Sequence, residues 1–192
     1  MKKYIKYIVL FLLVVLLVVG LNWPGNKSNK VYAIISIKDY GKIELELDSD
    51  EAPITVKNFV SLVKNNFYDG LTFHRVIDGF MIQGGDPNKD GTGGSDNKIK
   101  GEFLNNGVKN SISHKRGVIS MARSSENDSA SSQFFIMHKD NTNLDGSYAA
   151  FGHVLSGIEV VDKIVENTSK YGDDNGLLEE KYQPIIESIR IK

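Results

Sequence analysis

Short apolar runs separated by turn-forming residues are the feature that most constrains the fold of this chain. From Tyr32 onward each run is only a few residues long, and clusters of Gly, Asn, Asp and Ser stand between the runs. Runs of this length with such boundaries predict β-strands, because helices need longer periodic segments. The predicted strands are residues 32–37, 42–47, 71–76, 80–82, 117–121, 133–137, 149–154 and 185–191. Asp39, Tyr40 and Gly41 predict a hairpin turn between the first two.

Only two segments have the periodicity of an amphipathic helix. Pro53–Lys64 begins with a proline that suits the first helical turn, and its apolar residues follow the i, i+3, i+4, i+7 spacing. Residues 157–166 begin after Ser156, which with Glu159 has the spacing of a capping box, and Val161, Ile164 and Val165 lie on one face. Two isolated helices among many strands predict a mainly β fold, a closed or nearly closed antiparallel barrel capped by two α-helices.

The amino terminus predicts a membrane-directed helix. Lys2, Lys3 and Lys6 precede an uncharged apolar run over residues 7–21. A helix of that run would be about 22 Å long against about 30 Å of hydrocarbon, which fits the core of a signal peptide. Residues 4–23 would span a membrane if Lys6 extended to the headgroups.

No small-residue cleavage site follows the apolar run closely, which favours an uncleaved signal-anchor over a cleaved signal peptide. The lysines lie on the amino side of the run and predict that this end stays in the cytoplasm. We therefore expect residues 1–24 to be a single-pass anchor in the cell membrane, residues 25–30 a tether, and residues 31–192 a domain outside the cytoplasm. Secretion after cleavage is the alternative.

Composition excludes several classes of function. The formal net charge is -1, and residues 1–30 hold five lysines and no acid, so the domain carries an excess of acidic residues. Such a charge argues against nucleic-acid binding. The chain has no cysteine, which removes disulfides, thiol nucleophiles and zinc ribbons.

The motifs for metal and covalent chemistry are incomplete. Asp86, Asn88 and Asp90 imitate the start of a calcium loop, but Asn97 stands where the bidentate Glu is needed. The four histidines have no metal-ligand spacing, and no serine lies in a nucleophile elbow. We expect no metal and no cofactor. The glycine-rich residues 83–95 predict a surface loop that a ligand backbone can approach.

Large apolar residues stand beside single polar ones in residues 73–75, 80–83 and 133–137. Strand alternation predicts that Phe73 and Arg75 share a face, as do Gln133 and Phe135. A face that combines Arg, Gln, Phe and Met suits an apolar pocket with a few convergent polar groups. It equally suits a core whose long side chains reach solvent.

Five motifs together resemble the cyclophilin-type peptidyl-prolyl cis-trans isomerases, and the likeness covers nearly all of residues 31–192. They are FHRVI-x-GFMIQGGD from residue 73, GTGG from 91, GVISMA from 117, SQFFI from 132, and LDG from 144 with FG at 151. The resemblance implies an eight-stranded antiparallel barrel closed by two helices. It also implies an enzyme that rotates X-Pro bonds in proline-containing polypeptides, and we expect it to act as a monomer.

The resemblance also implies roles for individual residues. Arg75 would be catalytic, and Gln83 would hydrogen-bond the substrate backbone with support from Gln133. The proline ring would lie against Phe80, Met81, Phe135 and Leu144, with Ala122, Arg123 and Tyr148 lining the groove.

Three positions depart from the common family pattern. Asn143 replaces a frequent Trp, which puts tight cyclosporin binding in doubt. Tyr148 replaces a frequent His and Arg123 a common Asn, so substrate preference is expected to differ. The main alternative to an enzyme is a binding or chaperone module that holds proline-containing segments without catalysis. A calcium-dependent surface protein is a third hypothesis.

Overall fold

The computed structural model describes residues 29–192, which form eight strands and two α-helices. The strands are β1 (Lys30–Ile37), β2 (Gly41–Asp48), β3 (Phe73–Ile77), β4 (Met81–Gly84), β5 (Val118–Met121), β6 (Phe134–Met137), β7 (Ala150–Ser156) and β8 (Ile186–Ile191). The helices are α1 (Pro53–Lys64) and α2 (Ile158–Thr168). Each predicted strand segment overlaps one of the observed strands, with ends that differ by at most two residues, and α1 has the predicted bounds.

All eight strands belong to one curled antiparallel sheet with the order β3-β4-β6-β5-β7-β2-β1-β8. The prediction of a closed barrel is wrong, because the edge strands β3 and β8 share no ladder. The outer edge of β3 is occupied by another segment: Val76 N–H donates to Gly176 O, and Leu178 N–H donates to His74 O, each at 2.8 Å. A single bridge, Thr72 to Ile185, lies between the two sheet edges, so the sheet is a half-barrel.

The two helices begin differently from each other. At α1 the N-cap residue Ala52 has no capping side chain, and Glu102 supplies the cap from a distant loop. Its carboxylate accepts from Ile54 N–H at 3.0 Å and from Thr55 N–H at 2.8 Å. This places a buried acid at the positive end of the helix dipole.

At α2 the predicted capping box is wrong. Ser156 is the last residue of β7, and Gly157 is the N-cap in a left-handed conformation with φ of 85°. A Cβ at Gly157 would lie 2.2 Å from Lys42 O, so only glycine fits where the chain passes from β7 into the helix. The helix then runs two residues beyond its predicted end.

Apolar side chains form two separate clusters on opposite faces of the sheet. The larger cluster fills the inner, concave face beneath both helices, and its centre is aromatic. The ring of Phe134 meets Phe59, Tyr68 and Phe73 edge-on at centroid distances of 5.5 to 5.9 Å. The smaller cluster lies on the outer face and contains Met81, Val118, Phe135, Met137 and Ala150.

The predicted hairpin is present, and β1 pairs with β2 from Lys30 opposite Asp48 to Ile37 opposite Gly41. Asn29 and Lys30 were predicted to be the last residues of the tether. Asn29 directly precedes β1, and Lys30 is the first residue of that strand. The predicted anchor over residues 1–24 lies outside the described residues. Within residues 29–192, no helix is both long and apolar enough to cross a membrane.

Candidate active site

A cavity of about 450 Å³ opens over the smaller apolar cluster on the outer face of the sheet. It brings together nine of the ten side chains predicted for the site. These are Arg75, Phe80, Met81, Gln83, Ala122, Arg123, Phe135, Leu144 and Tyr148. The tenth, Gln133, lines a neighbouring cavity, and its Oε1 accepts from Gln83 Nε2 at 2.8 Å.

A β-bulge in β3 determines where Arg75 points. Phe73 pairs with Gly84 and Arg75 pairs with Gln83, so two steps along β3 match one step along β4. His74 is the extra residue. The prediction that Phe73 and Arg75 share a face is therefore wrong: Phe73 is buried in the inner cluster, whereas Arg75 lines the outer cavity.

The Arg75 guanidinium is held by neutral carbonyl groups. Its Nε donates to Asn175 O at 2.7 Å, and its Nη1 donates to Gln83 Oε1 at 3.2 Å. Gln83 is oriented in turn by Gln133, whose Nε2 donates to the carbonyls of Gly91 and Gly93 at 3.0 and 2.8 Å. This chain of amides fixes the arginine through its neighbours, as a preorganised donor requires.

The arginines in ion pairs among residues 29–192 are Arg116 and Arg190, so no carboxylate in that range directly offsets the positive charge of Arg75. Burial lowers the pKa of the Arg75 guanidinium, and the Asp173 carboxylate acts against that shift. Arginine nevertheless stays protonated in proteins, so the cavity carries a permanent cation.

The apolar wall of the cavity is supported from behind by a buried histidine. The His114 ring stacks on Phe135 at a centroid distance of 6.0 Å. Its Nδ1 lies 2.8 Å from Asp145 Oδ1, and its Nε2 lies 3.1 Å from Ser120 Oγ. Burial lowers the pKa of His114 although Asp145 opposes the shift. Ser120 is fully buried, so this Ser-His-Asp arrangement cannot meet a substrate and holds the Phe135 wall instead.

A second cavity of about 340 Å³ adjoins the first. Gln83, Gly91, Ala122 and Arg123 line both cavities. The second is lined further by Thr92, Gly93, Gly94, Ser95, Lys98, Ser124, Ser129, Ser131 and Gln133. The two cavities together make a groove with an apolar part and a polar part.

Six residues that were not predicted for the site also line the first cavity: His74, Asp90, Gly91, Asp173, Asn175 and Leu177. His74 is buried, and burial lowers its pKa. Asp90 and Gly91 belong to the glycine-rich stretch, which was predicted to be open to a ligand backbone. Asn175 contributes its backbone carbonyl, a group for which no side-chain pattern gives a signal.

The glycine-rich loop is built around Asp86. Its carboxylate accepts the backbone N–H groups of Asn88, Asp90 and Gly91 at 2.8, 3.2 and 2.6 Å. Asp86 is thus committed to the loop backbone. In the part of the chain that the structure describes, no cluster of three acidic or histidine ligands forms a metal site.

The fold and the groove define a curled antiparallel sheet protein whose outer face places a fixed cation beside an apolar pocket. Comparison with known proteins agrees with this class. A family model described as cyclophilin-type peptidyl-prolyl cis-trans isomerase matches residues 32–190. The peptidyl-prolyl cis-trans isomerase of Acinetobacter baylyi is 45% identical over 163 residues, which cover 79% of this chain and 81% of that protein.

Two further relatives agree. Peptidyl-prolyl cis-trans isomerase A of Dickeya dadantii is 49% identical over 140 residues, covering 68% of this chain and 72% of that protein. A crystal structure of a Cryptosporidium parvum cyclophilin-type isomerase, obtained in the presence of the dipeptide Ala-Pro, matches with a TM-score of 0.73 and 31% identity. That match covers 84% of this chain and 98% of the other. The chain belongs to the cyclophilin-type peptidyl-prolyl cis-trans isomerase family and is an isomerase of X-Pro bonds.

Proposed function

We propose that Arg75 catalyses rotation of an X-Pro bond whose proline ring occupies the first cavity. The position of Arg75 carries this proposal: its guanidinium is fixed, charged and beside the apolar wall formed by Phe80, Met81, Phe135 and Leu144. The cavity volume suits a proline ring with its flanking backbone.

The chemistry needs only a well-placed donor. The barrier of about 18–20 kcal/mol arises because rotation destroys the resonance between the nitrogen lone pair and the carbonyl. In the planar ground state that lone pair is delocalised and accepts poorly, whereas in the twisted state it is localised on nitrogen. A donor from Arg75 therefore stabilises the twisted state more than the ground state, which is the condition for catalysis.

The other groove residues bind and orient the peptide. The apolar wall disfavours the charge-separated resonance form of the amide, which lowers the barrier further. Gln83 would hydrogen-bond the substrate backbone, while Ala122, Arg123 and Tyr148 line the path of the chain and Gln133 holds Gln83. A barrier lowered by about 5 kcal/mol would give an acceleration of several thousand-fold.

A protease-coupled assay of an X-Pro peptide on the full chain tests the role of Arg75. We expect Arg75→Ala to lower kcat/KM by roughly 100- to 1,000-fold, the usual effect of losing a transition-state donor. Arg190→Ala is the matched control, because Arg190 is a guanidinium paired with Asp69 away from the groove. Equal rates for Arg75→Ala and wild type would instead support a module that holds proline-containing segments without catalysis.

We also propose that residues 4–23 anchor the enzyme in the cell membrane with the isomerase domain outside the cytoplasm, where it assists the folding of exported proteins as a monomer. The lysines before the apolar run and the absence of a nearby cleavage site support this proposal. The intact mass of protein recovered from membranes tests it. A mass that lacks the first 20 to 30 residues would favour the alternative of secretion after cleavage.

A further inference from the structure

The second cavity differs from the proline cavity in the chemistry of its lining. Its members beyond the shared residues are glycines, Gln133, the hydroxyl residues Thr92, Ser95, Ser124, Ser129 and Ser131, and Lys98. An extended peptide advances about 3.3 Å per residue. A client whose proline lies in the first cavity therefore places a residue within about three positions of that proline in the second.

The charged residues that line the second cavity are both cations. They are Lys98 and Arg123, and neither lies in an ion pair among residues 29–192. The lysines that do form ion pairs there are Lys30, Lys89, Lys115, Lys181 and Lys192. This local positive charge contrasts with the excess of acidic residues in the domain as a whole.

The acids nearest in sequence to Lys98 and Arg123 are Asp96 and Glu126, and neither lines the second cavity. Two other acids close by along the chain face protein partners. The carboxylate of Asp128 accepts from Gly101 N–H at 3.0 Å and from Asn106 Nδ2 at 2.7 Å, and that of Asp90 accepts from the backbone N–H of Thr92 at 2.9 Å. All four acids are absent from the cavity lining, so its positive charge is left for a ligand.

Arg123 is held rigidly while part of its guanidinium stays available. Its Cζ lies 5.0 Å from the ring centre of Phe103 and 4.9 Å from that of Tyr148. Nε donates to Ser147 O at 3.0 Å, and Nη1 donates to Ser124 O at 2.9 Å. Among residues 29–192 no hydrogen bond uses Nη2. An arginine fixed in this way loses little side-chain entropy when it binds a carboxylate.

Most hydroxyl groups of the second cavity are committed to protein acceptors. Thr92 Oγ1 donates to Asp90 Oδ1 at 2.6 Å, Ser124 Oγ donates to Ser129 Oγ at 2.8 Å, and Ser129 Oγ donates to Glu126 O at 2.6 Å. The two cations therefore provide the donors that are complementary to a carboxylate.

We infer that the second cavity binds the carboxylate side chain of a client residue close to the proline. The isomerase then prefers X-Pro segments that carry Asp or Glu within about three positions of the proline. This inference rests on the proposed function, because the proline cavity sets which neighbouring residue reaches the second. Arg123 is the residue that determines this specificity, with Lys98 as the weaker partner at the exposed rim.

Matched pairs of peptides test the inference on the full chain. The two peptides of a pair share one X-Pro bond and differ only in carrying Glu or Gln at one of the three positions before or after that bond. We expect one position at which Glu raises kcat/KM over Gln by roughly 3- to 10-fold, the range for a partly exposed ion pair. The ratio should fall toward one in 0.5 M or stronger salt, because the Debye length there is about one-half to one-third of its value at 0.1 M.

Variants identify the cation. Arg123→Gln should bring the Glu-to-Gln ratio to about one, Lys98→Gln should lower it partly, and Lys38→Gln, at an exposed lysine on the β1–β2 turn, should leave it unchanged. Because both peptides are compared on the same variant, a general loss of activity or stability does not alter the ratio.

Calorimetric Kd values for the same peptides separate this inference from the proposed function. A Glu preference in Kd without any turnover would support acid recognition and contradict the proposed catalysis. A Glu-to-Gln ratio of about one at every position, in both kcat/KM and Kd, would overturn the inference while leaving the isomerase activity intact.

Discussion

The two faces of strand β6 perform different tasks with nearly identical residues. Phe134 and Ile136 face inward and are fully buried in the large cluster beneath the helices. Phe135 and Met137 face outward into the smaller cluster, where Phe135 walls the proline cavity. The strand period of two separates stability from binding within four residues. Paired substitutions can therefore test each face separately.

The largest effect is expected on the inner face. Phe134→Ala removes a ring that packs against three other aromatic rings, and should lower the free energy of unfolding by about 3–5 kcal/mol. Urea denaturation followed by far-ultraviolet circular dichroism measures this loss. A loss below about 1 kcal/mol would show that the inner cluster is not the source of stability.

On the outer face, Phe135→Ala should impair catalysis more than stability. The variant loses the apolar wall of the proline cavity. Burial of one large apolar side chain contributes about 1.5–3 kcal/mol, so we expect kcat/KM to fall by roughly 10- to 100-fold. Its loss of unfolding free energy should be smaller than that of Phe134→Ala. Peptide kinetics and urea midpoints on both variants give the comparison, and the reverse ranking of stability would break it.

Glu102→Gln tests whether helix α1, which covers the inner face of the sheet, can be destabilised without changing the groove. Gln keeps the shape of the side chain but removes the charge that accepts the first N–H groups of α1. We expect a loss of about 1–2 kcal/mol in unfolding free energy with KM unchanged. A changed KM would show coupling through Phe103, which stacks on Arg123 in the groove.

The smallest effect concerns His114, which lies between the faces. Burial lowers the pKa of His114 in the folded state. At pH values between this lowered pKa and about 6.5, the unfolded chain therefore binds more protons than the folded chain. His114 then contributes stability that is present above about pH 6.5 and is lost as the pH falls. The slope is at most about 1.4 kcal/mol per pH unit.

Urea midpoints between pH 7.5 and pH 5 measure this slope, and His114→Gln should reduce it. The remaining slope should include His74, whose pKa is lowered by burial in the same direction. An unchanged slope in His114→Gln would contradict the assignment.

The secondary structure follows closely from the sequence, because each element is set by a local signal. The proline and the periodic apolar residues of α1 define its bounds, and the turn residues separate the strands. Closure of the sheet does not follow, because the segment from Gly176 to Leu178 pairs with β3 through backbone groups alone. Backbone pairing of this kind leaves no side-chain pattern in the sequence.

The residues of the candidate site could be assigned because their motifs are contiguous and specific. Their placement could not be derived from alternation, since the bulge at His74 reverses the face of Arg75 relative to Phe73. Asn175 and Asp173 approach the cavity from about 100 positions away along the chain, and only the folded structure brings them there.

The bulge at His74 determines which length changes β3 can tolerate. Removing the His74 codon would leave Phe73 and Arg75 adjacent, so a regular ladder would keep them on opposite faces, with the guanidinium still in the groove. Removing a codon after Arg75 would instead turn the side chains beyond the deletion to the other face of the sheet. Length variation among descendants of this chain should accordingly collect in the surface loops and, within β3, at the bulge itself.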